Sequence, residues 1–290
     1  MILVVGATGT LGGTIAKRLA EQGKQVRALV RPQSDAADLK RLGIETVLGD
    51  LKEPASLERA CEGAEALVTT ANSAGRGGED NVESVEEGGN RNLVDAAKAA
   101  GVRQFVFTSA LGSSLDSPVP FMRGKAVAEQ HLRESGVPFT ILMPNLFMEV
   151  WCPNVVGNAA MAGRPVVLVG EGTRKHSMIS IEDVAAFAVA TVGNDAARNR
   201  TLVLGGPQPL SWRDIVAAYE RALGRQLEVE FVPMGDGLPG FPEFISGFMN
   251  ALETYDSVIE MESTAREFGV RQLTLDEYLQ RTVQVASGRT

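Results

Sequence analysis

Three glycines at fixed spacing, Gly6, Gly9 and Gly12, stand between an apolar run over residues 2–5 and a helical pattern over 14–21. Each has a distinct use. Gly6 permits a tight turn out of a strand, Gly9 lets backbone approach a pyrophosphate, and Gly12 lets a helix pack close to a sheet. The first-turn N–H groups of such a helix lack intrahelical partners and lie at the positive end of its dipole. Thr8, Thr10 and Leu11, with the three glycines, therefore read as an anion-binding edge. The spacing is GxxGxxG, and its place between strand and helix points to a dinucleotide.

The second chemical signal lies about twenty residues further on. Folds that take NAD place an Asp or Glu after the second strand, where it holds the ribose hydroxyls. This chain has Leu29-Val30-Arg31-Pro32 there. It offers no carboxylate, and Arg31 presents a planar fork suited to phosphate. The expected cofactor is NADP(H).

These residues need a scaffold, and the first half of the chain predicts one. Strand patterns at 25–31, 45–48, 66–71, 104–109 and 139–143 alternate with helical patterns at 34–42, 54–61, 88–100 and 123–134. Strict alternation with near-continuous apolar strands predicts a doubly wound parallel α/β sheet of Rossmann type, with ligands at the carboxyl strand ends. After Pro144 the rhythm breaks. Strands are expected at 166–170, 176–181, 201–204 and 227–232, and helices at 183–192 and 211–223, the latter capped by Ser211 with Asp214. Phe241, Phe244, Ile245, Phe248, Met249 and Leu252 share one helical face. The domain reading is 1–150 for dinucleotide binding and 151–290 for a smaller substrate-side lobe, with about 176–205 returning to the main sheet.

Composition narrows the function. A net charge of −8 and no basic cluster argue against a nucleic-acid partner. Two cysteines, Cys61 and Cys152, provide neither a disulfide framework nor zinc spacing. No signal peptide and no run of the roughly 18–20 apolar residues a bilayer span needs are expected, so the location read from sequence is cytoplasmic. The expected partner is a small-molecule substrate, with no membrane; a homodimer stays open.

Gly6-Ala-Thr-Gly-Thr-Leu-Gly12, Gly49-Asp50, Phe105-Val-Phe-Thr-Ser109 and Ser135-Gly-Val-Pro-Phe-Thr140 together resemble the atypical short-chain dehydrogenase/reductase superfamily, and most of all its NmrA-like branch. Leu210-Ser-Trp-Arg-Asp-Ile215 is similar to the carboxyl-terminal part of extended members. The resemblance implies NADP(H) on the glycine turn and Arg31, with Ser34 as a helper. It implies Asp50 and Leu51 at the adenine, and Ala71, Asn72 and Ser73 at the nicotinamide-side ribose, with the loop continuing through Ala74 and Gly75. Pro144 and Asn145 would line the nicotinamide pocket.

The superfamily's catalytic set is Ser with Tyr-x-x-x-Lys. Here Ser109 and Lys125 match, but the tyrosine position holds Phe121, which has no dissociable proton. The four-residue spacing puts Phe121 and Lys125 on one helix face. The missing acid would cost roughly 10²–10⁴ in rate. Three readings follow. The chain is an NADPH-dependent reductase of quinones, enones or carbonyls held under the 241–252 face; or an NADP(H)-sensing regulator; or an assembly scaffold. Glu129 is expected at the helix surface, His131 exposed, His176 structural, and Asp183 engaged with Ser180 in a capping box. Of the tyrosines, Tyr255 alone is placed to reach a pocket.

Overall fold

Ile2, Leu3, Val4 and Val5 are all buried, because the strand they form, β1 (Ile2–Val5), has neighbours on both sides. The computed structural model describes residues 1–74 and 76–286. The other strands are β2 (Val26–Val30), β3 (Glu45–Leu48), β4 (Ala66–Thr69), β5 (Gln104–Thr108), β6 (Phe139–Pro144), β7 (Val166–Val169), β8 (Arg200–Leu204) and β9 (Val229–Val232). Seven of them form one sheet in the order β3-β2-β1-β4-β5-β6-β8. Val5 pairs with Leu29 on one side and Thr69 on the other, both in parallel register. The chain steps outward from β1 to β3 and then returns to β4 on the other side of β1. That reversal opens a crevice at the carboxyl ends of β1 and β4, where ligands of such sheets bind. The predicted doubly wound fold is present.

By compactness the described chain falls into two units. The first takes residues 1–144, 184–203 and 268–270, and the second takes 145–183, 204–267 and the chain from 271 onward. In the first, Leu3, Leu57, Leu67, Leu93, Phe105, Leu132 and Ile141 form the core between sheet and helices. Helix Thr10–Glu21 contributes Ile15, Ala16 and Leu19 from one face. In the second, β7 and β9 pair in parallel, and Trp212, Ile215, Tyr219, Leu168 and Leu279 share a core. Helix Trp212–Leu223 starts with the predicted box. Ser211 Oγ accepts from the Asp214 N–H at 3.2 Å, and Asp214 accepts from the Ser211 N–H at 2.7 Å.

Two local expectations change, and one left open resolves. Residues 176–181 form no strand; His176 makes only isolated bridges to Leu210 and Ser257. The helix predicted at 88–100 is Asn90–Ala99, and a π-helical stretch, Val82–Gly89, precedes it. Asn81 and Ser84 start that stretch by reciprocal side-chain caps. Its wider turn breaks the 3.6-residue period on which the sequence reading relied. The apolar face over 241–252, which the sequence leaves open as core, dimer seam or substrate cover, packs into the core of its own unit. Met249 and Leu252 are fully buried, and Phe248 stacks on Trp151 at 4.7 Å. The Phe244 side chain lies outside the described residues.

Candidate active site

The glycine turn is built by contact distances that exclude side chains. Gly6 leaves β1 at φ +88°, and a Cβ on Gly12 would stand 2.3 Å from the Gly6 carbonyl oxygen and 2.7 Å from Thr70 Oγ1. The Gly9 N–H donates to Gly6 O at 3.0 Å, closing the turn. Helix Thr10–Glu21 then begins at Gly9 with no side-chain cap and no acidic residue in its first turn. Thr8, Gly9 and Thr10 are exposed and Leu11 half-buried. Open first-turn N–H groups with no competing carboxylate fit a pyrophosphate. The pyrophosphate of a dinucleotide fits this turn, which comprises Gly6, Thr8, Gly9, Thr10, Leu11 and Gly12.

The same turn opens into a cleft lined by Gly6, Thr8, Leu29, Arg31, Asp50, Leu51, Ala71, Arg76, Asp80 and Val85. Arg31 lies in it, hydrogen-bonded to Asp80. Lys52 also donates to Asp80, and to Asp50 at 3.2 Å. The Lys52 bond holds the Asp80 carboxyl below the usual carboxylate range, and Asp80 in turn raises the Lys52 ammonium. Asp50 also accepts from the Lys52 backbone N–H at 2.9 Å. Leu51 is buried, and its carbonyl accepts from Asn92 at 3.1 Å. Lys52, Arg76 and Asp80 carried no motif and were missed from sequence. The one available signal was the Asn81-x-x-Ser84 cap that fixes the residue beside Asp80.

On the other side of the Thr70–Ala71 strand end lies Lys125. A Cβ on Gly6 would meet Ala71 N at 3.1 Å, while the Ala71 carbonyl accepts from Lys125 Nζ at 3.3 Å. The strand end thus links turn and lysine. Lys125 is 2% exposed and donates also to Thr108 O at 3.3 Å. Its Nζ lies 5.1 Å from the Phe107 ring centre and 5.5 Å from that of Phe121, so the predicted shared face is present. Burial pushes the ammonium down to about 8, against the opposing pull of Glu86 and Glu129. An ammonium has three protons to donate, and the third has no hydrogen-bond acceptor among the described residues. That unmet donor fits a ribose hydroxyl or a reacting oxygen.

Two carboxyl groups act on the Lys125 ammonium, Glu86 and Glu129. Ser109 donates to Glu129 at 2.5 Å and lies 3.1 Å from Ser113 Oγ. Glu129 is buried, contrary to its expected surface position, and burial raises its pKa. The reason is that it faces the end of β5, where Ser109 donates to it; at Gly124 a Cβ would meet Val82 at 2.8 Å and Glu86 at 2.9 Å, so another face of helix Pro120–Ser135 packs tightly on the π-helical stretch. That packing buries Glu86. It accepts from the Ser73 N–H at 2.7 Å, and its second oxygen has no hydrogen-bond partner among the described residues. The small residues Gly124 and Ala128, four apart, are the sequence signal for this buried face.

The remaining candidates resolve as follows. Asn72 folds its own loop, accepting from the Ala74 N–H at 3.0 Å, and Gly75 lies outside the described residues. Pro144 O accepts from Leu111 N–H at 3.0 Å. Asn145 belongs to the second unit and donates to Ser257 O at 3.1 Å. His176 is fully buried against Ser257 Oγ at 2.7 Å and is kept neutral by burial, which lowers its pKa. Tyr255 is 48% exposed with its ring edge-on to His176. His131 is half-buried, not exposed, and bonds Asp95 at 2.7 Å. Ser180 accepts from the Asp183 N–H at 3.0 Å. Burial lifts the thiols of Cys61 to about 11 and Cys152 to about 12. Both should resist Ellman's reagent in the native protein and react only after denaturation. Rapid native labelling would contradict their burial.

A model of the NmrA-like family matches residues 1–279. The chain belongs to the NmrA-like family. It is 32% identical to an NAD(P)H azoreductase of Xenophilus azovorans, over 87% of this chain and 86% of that protein. It is also 36% identical to the photosystem II assembly factor Ycf39 of Cyanophora paradoxa, over 80% of this chain and 72% of that protein. Among solved structures, a Citrobacter triphenylmethane reductase superposes with a TM-score of 0.82 at 21% identity, covering 98% of this chain and 99% of that one. An Escherichia coli NADPH-dependent quinone oxidoreductase complexed with NADPH gives 0.79 at 22% identity, covering 98% and 100%. At these identities the structural likeness speaks for the fold. No helix among the described residues is long and apolar enough to cross a membrane.

Proposed function

We propose that the chain is an NADPH-dependent oxidoreductase that delivers hydride to a small, fairly apolar acceptor: a quinone, enone, carbonyl or azo compound. The observation that carries this reading is Lys125. It is a buried ammonium with one unmet donor, joined through Ala71 to a glycine turn that fits a pyrophosphate. The azoreductase relative, aligned over most of both chains, supports the same chemistry. When bound, a reduced nicotinamide supplies the hydride. The glycine turn and the open helix end would hold the pyrophosphate, and Arg31 would take the phosphate on the adenosine ribose. Lys125 orients the nicotinamide-side ribose and holds the proton that the reduced acceptor must gain. Phe121 offers no hydroxyl, which favours acceptors that need little acid help.

A second reading draws on the same Phe121. The protein binds NADP(H) and turns nothing over, acting as a sensor or, in the manner suggested by the assembly-factor relatives, as a scaffold. Steady-state NADPH oxidation against a quinone, an azo dye, an enone and a ketone separates the two. Turnover on any of them supports the enzyme; tight NADPH binding with none supports the sensor.

The cofactor assignment has its own test. Arg31→Asp should weaken NADPH binding by roughly 10–100-fold, the loss of a charged hydrogen bond worth about 1.5–3 kcal/mol, and leave NADH nearly unchanged. Calorimetry on both cofactors reads this directly. An unchanged NADPH affinity would remove Arg31 from the site.

A further inference from the structure

Asp80 sits where three cations meet. Arg31 and Lys52 each donate to its carboxylate, and Arg76 lies 3.6 Å away. Asp50 shares Lys52 at 3.2 Å. All five side chains flank the cleft that opens from Gly6 and Thr8, and four of them line it directly. Arg31, Lys52 and Arg76 bring three positive charges against the two carboxylates Asp50 and Asp80. With Asp80 removed, the excess would suit a dianion. A carboxylate with both oxygens engaged occupies the space of two phosphate oxygens. The side chains keep 15–32% of their surface in solvent, so a dissolved anion can reach them.

The backbone gives Asp80 room to leave. It ends a tight turn from Gly77, closed by its N–H to Gly77 O at 3.3 Å, and precedes Asn81, which caps the next helical stretch. Rotation of one side chain at this junction breaks no element. The bond from Lys52 keeps Asp80 ionised at neutral pH, so the occupant yields to a competing anion and not to protonation.

We propose that Arg31, Lys52 and Arg76 form a cradle that reads a ribose-linked phosphate, and that Asp80 fills this cradle in the free protein and must be displaced for the phosphate to enter. Lys52 and Arg76 then decide NADP(H) over NAD(H) alongside Arg31. Asp80 lowers the apparent affinity by the fraction of time it occupies the cradle. The inference rests on the nucleotide reading of this cleft.

Calorimetric titration of the full chain with 2′,5′-ADP, 5′-AMP, NADPH and NADH tests it without turnover. Asp80→Asn should bind 2′,5′-ADP and NADPH about 10-fold more tightly or better, with 5′-AMP and NADH changed less than about twofold. Asp80→Ser should do the same, which guards against a fault peculiar to one variant. Lys52→Gln and Arg76→Gln should each weaken NADPH by about 10-fold and spare NADH. If Asp80→Asn weakens NADH, Asp80 reads ribose hydroxyls and the proposal falls. If wild type binds NADPH but neither the Asp80 nor the cation variants shift it, the cradle is wrong and the nucleotide reading stands. If no variant binds any of the four ligands at millimolar concentration, both fall.

Discussion

Lys125→Met is expected to lower kcat/KM for the best acceptor by about 10²-fold or more, the usual worth of a proton-transfer group. The wild-type pH profile should carry the same signature. With the ammonium pushed down to about 8 by burial, a rate that needs its proton is flat at lower pH and falls about tenfold per pH unit above it. The methionine variant should lose that inflection. Stability gives an independent readout. The folded chain holds Lys125 at about 8 and the unfolded chain near 10.5, so between these values the unfolded state binds more protons. The free energy of unfolding therefore rises with pH across that window, by a contribution of roughly 3 kcal/mol. Urea melts at either end of the window should show the rise in wild type and not in Lys125→Met. Turnover that survives the substitution unchanged would take Lys125 out of the chemistry.

Gly12→Val is expected to abolish nucleotide binding and to destabilise the first unit by about 3 kcal/mol or more, because the new atoms meet backbone. The built Cβ stands 2.3 Å from Gly6 O and 2.6 Å from Gly6 C, and neither can yield without moving helix Thr10–Glu21 off β1. Gly9→Ala makes the complementary test. Its Cβ meets only Gly6 O, at 3.3 Å, so the melting temperature should change little. It nevertheless projects from an exposed part of the turn, and NADPH affinity should fall by about 10-fold as backbone approach is blocked. If Gly9→Ala binds NADPH as wild type does, the pyrophosphate does not lie on this turn. If Gly12→Val melts like wild type, the close packing that fixes the turn is not what holds it.

The legible parts of the site were those coded by local backbone demands. A turn with positive φ at Gly6 and a contact that only Gly12 permits leave glycines at fixed positions, so the junction reads directly. Lys125 and Phe121 were legible because residues four apart share a helix face wherever that helix packs. Glu129, four residues beyond Lys125, was misread as surface. Its burial depends on the end of β5, where Ser109, twenty residues upstream, donates to it. Arg31 stands out from the missing carboxylate after β2, but its companions come from two other loops, Lys52 after β3 and Arg76 and Asp80 after β4, and no motif joins those loops.

The sequence by itself determined the parallel sheet, the glycine turn and the helix face that Lys125 shares with Phe121, because period, glycine placement and helical spacing are local and survive without knowledge of neighbours. Tertiary structure alone decided the charges around that lysine and around Arg31. Glu86 is buried only when Gly124 lets two helical segments touch, Glu129 only when its helix lies against the end of β5, and Asp80 meets its three cations only when the ends of β2 and β3 converge with the turn after β4. Desolvation and Coulomb interaction depend on distance in space and on excluded water, and neither is written in the order of residues along the chain.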